Sequence, residues 1–147
     1  MTNNDVLRSL RHILRIPESK LIEILGLVNF KVSSEDMVAF LKAEEDPHYK
    51  NCGDKVLAHF LNGLVIYKRG RRDDTPPTLE FPLTNNIILK KIRIAFELKD
   101  SDIIQLIEKT GHPISKAELS AFFRKEGHRN YRECGNQFLR NLLRGMG

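Results

Sequence analysis

Tyr49-Lys50-Asn51-Cys52-Gly53, running on to Leu57, Leu61 and Gly63, is a stretch that this chain uses twice. Eighty-two residues further on it reads Tyr131-Arg132-Glu133-Cys134-Gly135, then Leu139, Leu143 and Gly145. The same offset carries Thr2-Asn3-Asn4 onto Thr84-Asn85-Asn86, so the echo covers residues 2–63 and 84–145 without a gap. Seventeen of these sixty-two pairs are identical, and most other core pairs exchange apolar for apolar, as Leu10 for Ile92 and Leu14 for Phe96. Repetition at a fixed period marks each copy as one structural unit. A unit this small lies near the lower limit for an independent core, so the two copies are expected to share an interface.

Working outward, each copy reads as four helices. In residues 3–16, Val6, Leu7, Leu10, Ile13 and Leu14 fall at helical spacing behind Asn3, read here as the N-cap. Residues 18–28 place Leu21, Ile24, Leu25 and Val28 on one stripe, and Asn29 pairs with Gly111 of the second copy. Asn and Gly best tolerate the left-handed conformation that closes a helix. Ser33-x-x-Asp36 and Ser115-x-x-Glu118 start a third helix as capping boxes. Residues 43–53 are polar and aperiodic, a loop, and the fourth helix runs from Asp54 to about Tyr67 with Val56, Leu57, Phe60, Leu61 and Leu64 inward. The plan repeats at 86–98, 101–110, 116–125 and 136–146, capped by Asn85 or Thr84, and no segment alternates like a strand. The expected fold is all-α: a tandem duplication of a four-helix unit, packed about an approximate twofold axis. Residues 1–67 form the first repeat, 68–83 a charged linker with Pro76-Pro77, and 84–147 the second; Leu79, Phe81 and Leu83 pack the end of the linker onto a core.

The Thr-Asn-Asn start of each copy, the Leu-(Arg/Lys)-x-(Leu/Ile)-Arg helix and the closing Cys-Gly-x-x-x-Leu-x-x-x-Leu-x-Gly resemble the YehS-like family of small bacterial proteins. The runs Asn85 to Phe96 and Arg132 to Arg140 carry the likeness furthest, and it extends over nearly the whole chain. The resemblance implies a helical tandem repeat. It implies no activity, so it assigns no catalytic residue.

Composition narrows the function classes. The chain has 147 residues with 41% hydrophobic and 29% charged side chains, as in a soluble globular protein, and no apolar run long enough to span a bilayer. Met1-Thr2-Asn3-Asn4-Asp5 has no features of a secretory leader, so the expected location is the cytoplasm, away from membranes. The net charge of +5 belongs to the second copy, where residues 84–147 carry twelve Lys/Arg against seven Asp/Glu. Phosphate-loop, nucleophile-elbow and metalloprotease motifs are lacking, and no Cys or His spacing suits zinc. The five histidines do not repeat between copies, and no cofactor or enzyme class is indicated. A helix-turn-helix reader is disfavoured, because the would-be recognition helix opens Ser33-Ser34-Glu35-Asp36, with acids facing a phosphate-lined groove.

Two constellations remain. Cys52 and Cys134 each precede a helix start, with Lys50 or Arg132 two residues upstream, a setting that lowers a thiol pKa. The competing reading makes them small buried residues in a structural motif of Tyr49, Cys52, Gly53, Tyr131, Cys134 and Gly135. The second constellation is polar: Asn4, Arg8 and Arg11 share one face of the first helix, repeated by Asn86, Lys90 and Arg93. Arg129 and Arg132 add to it in the basic loop of the second copy. These eight residues are the candidate binding face, and the competing reading makes them caps and contacts between copies. The function expected is a non-enzymatic module binding an acidic partner, nucleic-acid backbone or acidic protein. The alternatives are an interaction adaptor using apolar surface between copies and a cysteine-based redox protein.

Overall fold

A computed structural model of the chain describes residues 1–71 and 78–147. The described residues form eight helices and no strand: α1 (Asn3–Leu14), α2 (Glu18–Gly26), α3 (Ser34–Leu41), α4 (Asp54–Arg69), α5 (Asn85–Ala95), α6 (Asp100–Glu108), α7 (Lys116–Phe122) and α8 (Asn136–Met146). No helix among them is long and apolar enough to cross a membrane.

Local chemistry sets the helix ends. Thr2 and Thr84, not the asparagines that follow, are the N-caps of α1 and α5; their side chains accept from the amides of Asp5 and Ile87. The asparagine is displaced from the cap because its side chain is needed elsewhere. Ser33 accepts from the Asp36 amide at the start of α3, and Ser115 with Glu118 forms a reciprocal box at α7. The Ser115 amide and hydroxyl hold the Glu118 carboxyl below its ordinary range. Asn29 and Gly111 do take left-handed φ values, 57° and 80°. Two further left-handed residues, Arg15 and Glu97, have no sequence signal. Each lets the next amide reach back, Ile16 to the Arg11 carbonyl and Leu98 to that of Arg93, which ends the helix ahead of Pro17 and shortens α5 to Ala95.

The buried apolar residues form one continuous core across all eight helices. Leu7, Leu10, Leu21, Ile24, Leu25, Leu57 and Phe60 fill its first half, and Leu89, Ile92, Ile103, Ile107, Leu139 and Leu142 its second. Within each half the last helix lies on the second, α4 on α2 and α8 on α6. Between halves α4 lies on α5 and α1 on α8. Helix α4 therefore buries two stripes. Leu57, Phe60, Leu61 and Leu64 form one, while Ala58, Asn62 and Ile66, four residues apart, follow a second line that the apolar periodicity did not predict. Of these, Ala58 and Asn62 meet Ile87 and Lys91 of α5 beneath residues 78–83.

Helix α4 continues to Arg69, so the expected linker of 68–83 starts at Gly70. Its residues Arg72, Asp73, Asp74, Thr75, Pro76 and Pro77 lie outside the described residues. Leu83 packs against the core, but Leu79 and Phe81 are 42% and 52% exposed, contrary to expectation. Polar contacts hold this segment instead: the Thr78 carbonyl accepts from Asn62 and Lys91, and the Leu83 amide donates to Asp54.

Gly63 and Gly145 explain the close of the repeated motif. A Cβ on Gly63 would run into the Ile24 carbonyl oxygen, and one on Gly145 would lie 2.7 Å from that of Leu106. Both glycines allow a helix backbone to touch another across the core. Gly26, the last residue of α2, has nothing within 4 Å of such a Cβ. An ordinary helical Gly→Ala gains up to about 1 kcal/mol. Gly26→Ala should follow that rule, whereas Gly63→Ala should lower the melting temperature by several degrees, because backbone and not a flexible side chain must yield. Thermal unfolding of the two variants beside the parent checks the opposite signs.

Candidate functional site

The two candidate faces fall apart into distinct pieces. Asn4 and Asn86 are not on an outward stripe. Asn4 is fully buried; its amide nitrogen donates to the Phe40 carbonyl at 3.0 Å and the Lys50 carbonyl at 2.8 Å, and its Oδ1 accepts from the Cys52 amide at 2.9 Å. Asn86 makes the same three bonds at the same lengths to Phe122, Arg132 and Cys134. Asn3 and Asn85 add bonds to the Cys52 and Cys134 carbonyls. These asparagines clamp the loop before the fourth helix to the first helix, and the buried pair, Asn4 and Asn86, is closed to a partner. The paired Thr-Asn-Asn and Tyr-x-x-Cys-Gly motifs are thus the two sides of one contact.

The cationic candidates divide. Arg8 pairs with Asp5 and donates to the Lys42 carbonyl at 3.2 Å. Burial pushes the Asp5 carboxyl up, but the Thr2 amide, Arg8 and the Thr2 hydroxyl outweigh it and hold it below its ordinary range. Arg93 is drawn inward, 3.0 Å from Asp100 and with its guanidinium 4.5 Å from the Phe123 ring centre. Arg93 therefore braces α5 against α6 and the end of α7. Lys90 is exposed beside Glu80 at 3.7 Å, and Arg11, Arg129 and Arg132 are exposed.

Cys52 and Cys134 are buried and unbonded to each other. Burial pushes each thiol up to about 12, with Asp54 adding to the effect at Cys52, so the expected lowering at a helix start is overturned. The helix ends are there, but removal from water dominates. Gly53 and Gly135 are the N-caps, Tyr49 and Tyr131 are half-buried, and burial raises the Tyr131 phenol. Among the described residues no three His, Cys, Asp or Glu side chains gather as metal ligands.

Two surfaces among the described residues stand open to a partner. One is the loop between α7 and α8. Its amides of His128, Tyr131 and Arg132 bond to the carbonyls of Lys125, His128 and Ala121. In the loop between α3 and α4, Asp46, Tyr49 and Lys50 bond to Ala43, Asp46 and Ala39 in the same order. The two loops thus share one hydrogen-bond frame and carry opposite chemistry. Residues 42–50 hold Glu44, Glu45 and Asp46 against Lys42 and Lys50; residues 124–132 hold Arg124, Lys125, Arg129 and Arg132 against Glu126.

The other surface is a groove of about 730 Å³ where α4 meets α5, of whose lining only Lys90 was a sequence candidate. Leu27, Val28, Val65, Ile66 and Ile94 supply its apolar lining, and Arg69, Arg71, Lys90 and Lys91 its cations. Arg69 is committed to Glu97 at 2.9 Å and the Ile94 carbonyl at 3.1 Å, and Arg71 to the Leu27 carbonyl at 2.8 Å. A second line of small and apolar residues on α4 was the available signal, but a groove also depends on where the linker runs.

Two outcomes follow. Asn86→Leu leaves two buried carbonyls and one amide unpaired, each worth about 1–3 kcal/mol, so it should lower the melting temperature by well over 5 °C. Conversion of Glu133 in the same loop to Gln, judged by the same thermal unfolding, should do little. For the thiols, folded pKa values lie above the unfolded value, so unfolding releases protons between pH 9 and about 12 and stability falls as pH rises through that window. At pH 8 both thiols should resist a disulfide reagent until denaturant is added; rapid labelling of the native protein would contradict their burial.

Comparison with known proteins places the chain among relatives of unknown activity. It is 43% identical over 148 residues to the uncharacterized protein YehS of Escherichia coli (strain K12), covering 99% of this chain and 94% of the relative. No solved structure matches it. A family model described as a protein of unknown function (DUF1456) matches residues 3–70 and again residues 85–147, and the chain belongs to that family.

Proposed function

We propose that the chain is a non-enzymatic binding module made of two copies of one four-helix unit, packed about an approximate twofold axis, which takes an anionic partner on the basic loop of the second copy. Three observations support the duplication: the unbroken echo of residues 2–63 in 84–145, the equal hydrogen bonds of Asn4 and Asn86, and the double family match. The packing of α1 on α8 answers that of α5 on α4, as an approximate twofold would require. On this reading the repeats span 1–69 and 84–147, joined by the segment from Gly70.

The function rests on one observation: two loops share one main-chain frame, yet the first is acidic and the second exposes Arg124, Lys125, His128, Arg129 and Arg132. Folding imposes the frame and not the charge, so the charge is attributed to a partner. The patch lacks an exposed apolar anchor of the kind that dominates protein interfaces, which favours a phosphate backbone over an acidic protein. Arginine provides planar, bidentate donors for phosphate oxygens. The module would work in the cytoplasm, where nucleic acid is abundant and two buried thiols stay reduced. A redox role finds no support in thiols raised to about 12.

Fluorescence anisotropy with a labelled single-stranded 20-nucleotide RNA between 50 and 300 mM salt tests this. Affinity should fall linearly on logarithmic axes with a slope of about −0.7 per phosphate neutralised. Arg124→Ala with Arg129→Ala should flatten that slope by about one to two units and leave the melting temperature unchanged. Absence of binding at 50 mM salt, or equal binding by the double variant, refutes the reading.

A further inference from the structure

The groove between α4 and α5 has three features that folding alone leaves unexplained. Asn62 is 3% exposed and lines it, and its Oδ1 has no hydrogen-bond partner among the described residues. A buried, unpaired amide oxygen costs about 1–3 kcal/mol and is rare in folded proteins. Lys91 is half-buried, reaches only the Thr78 carbonyl at 3.3 Å, and makes no ion pair among the described residues. Burial holds its ammonium below the ordinary range, with Lys90 acting the same way and Glu80 opposing. The lining between them is apolar, and Ile94 and Leu79 stand exposed at its edge.

These features converge in space. The Asn62 amide nitrogen and the Lys91 ammonium both donate to the Thr78 carbonyl, at 3.2 and 3.3 Å, so a single small molecule can meet both side chains. A half-buried cation with no ion pair among the described residues asks for an anionic head. An orphaned acceptor beside it asks for an N–H or O–H close to that head. An apolar lining in a cleft of about 730 Å³ asks for a hydrocarbon body of small-molecule size. A nucleic-acid backbone has no such body, and inorganic phosphate has neither body nor need of the lining. The Lys90–Glu80 pair is long and exposed, so Lys90 can turn to the same head at little cost.

We propose that this groove binds a small soluble organic anion with an apolar body and a hydrogen-bond donor next to its charged head, Lys91 receiving the charge and Asn62 Oδ1 the donor. The site is separate from the basic loop and its occupancy does not depend on the polyanion reading.

N-decanoylglycine, which has a carboxylate, a neighbouring amide N–H and a hydrocarbon chain, is a suitable probe for isothermal titration against the full chain. It should bind one to one, while inorganic phosphate at equal concentration gives no heat. Decanoate, lacking the donor, should bind about tenfold more weakly, consistent with one lost hydrogen bond to a buried group. Asn62→Leu should abolish that preference, so that both probes bind alike. Lys91→Met and Ile94→Glu, both at solvent-reached positions, should each weaken N-decanoylglycine at least tenfold with unchanged melting temperature. Arg129→Ala should bind as the parent does, which separates this site from the loop. The proposal is overturned if N-decanoylglycine gives no one-to-one binding, or if Lys91→Met and Ile94→Glu both bind it as the parent does. Retention of the full preference for it over decanoate in Asn62→Leu would overturn the role of Asn62.

Discussion

A buried primary amide, used twice, is the contact on which the rest of this structure depends. The polar loop that leads into α4 or α8 must be seated against a helical core, and its main-chain groups must be satisfied when water leaves. Asn4 and Asn86 do this from the first helix of each half, with two donors and one acceptor each aimed at loop backbone. No aliphatic residue could supply those bonds, and an aspartate would turn an acceptor toward two carbonyls. The clamp fixes the start of the last helix, and that helix carries the glycine that must touch a carbonyl of α2 or α6. The loop contact and the helix contact therefore locate one another.

The same geometry gives α4 its double duty. It is buried on one side by its own half and on the other by α5, and it runs for 16 residues against 11 in α8. Its final turns bring Val65, Ile66 and Arg69 to the groove, and Arg69 ties them to the end of α5. The groove is thus a product of packing between halves and of the extra length of one helix.

Much of this is written locally in the sequence. Helix periodicity, the Ser33 and Ser115 caps and the Asn29/Gly111 turn all depend on residues a few positions apart, and each is read directly. The repeat made Asn4, Arg11 and their partners conspicuous, yet periodicity could not tell an inward polar residue from an outward one. Asn86 is buried because backbone 46 residues away needs it, and Arg93 is withdrawn because Asp100 and Phe123 lie beside it. Both are tertiary facts. The cysteines illustrate a competition of magnitudes: the helix start was legible, but the burial that outweighs it was not. Arg15 and Glu97 in left-handed backbone break residue preference outright, and only the reach of the following amides accounts for them. Asn62 was not among the candidate site residues because it has an arginine, Arg144, at the matching place and so lacks the mark of repetition.

The clamp grips main chain and ignores side chains, and this has a consequence for variation. A loop recognised by its peptide groups is held whatever it displays, so its outward residues are uncoupled from stability. The acidic loop of the first half and the basic loop of the second are two inscriptions on one mount. Several charges have been exchanged between them without loss of a single matching backbone bond among those that seat the loop on its helix. Such a mount can change its charge by surface substitutions alone, with no compensating change inside, and a family that carries it can vary that surface while keeping one fold.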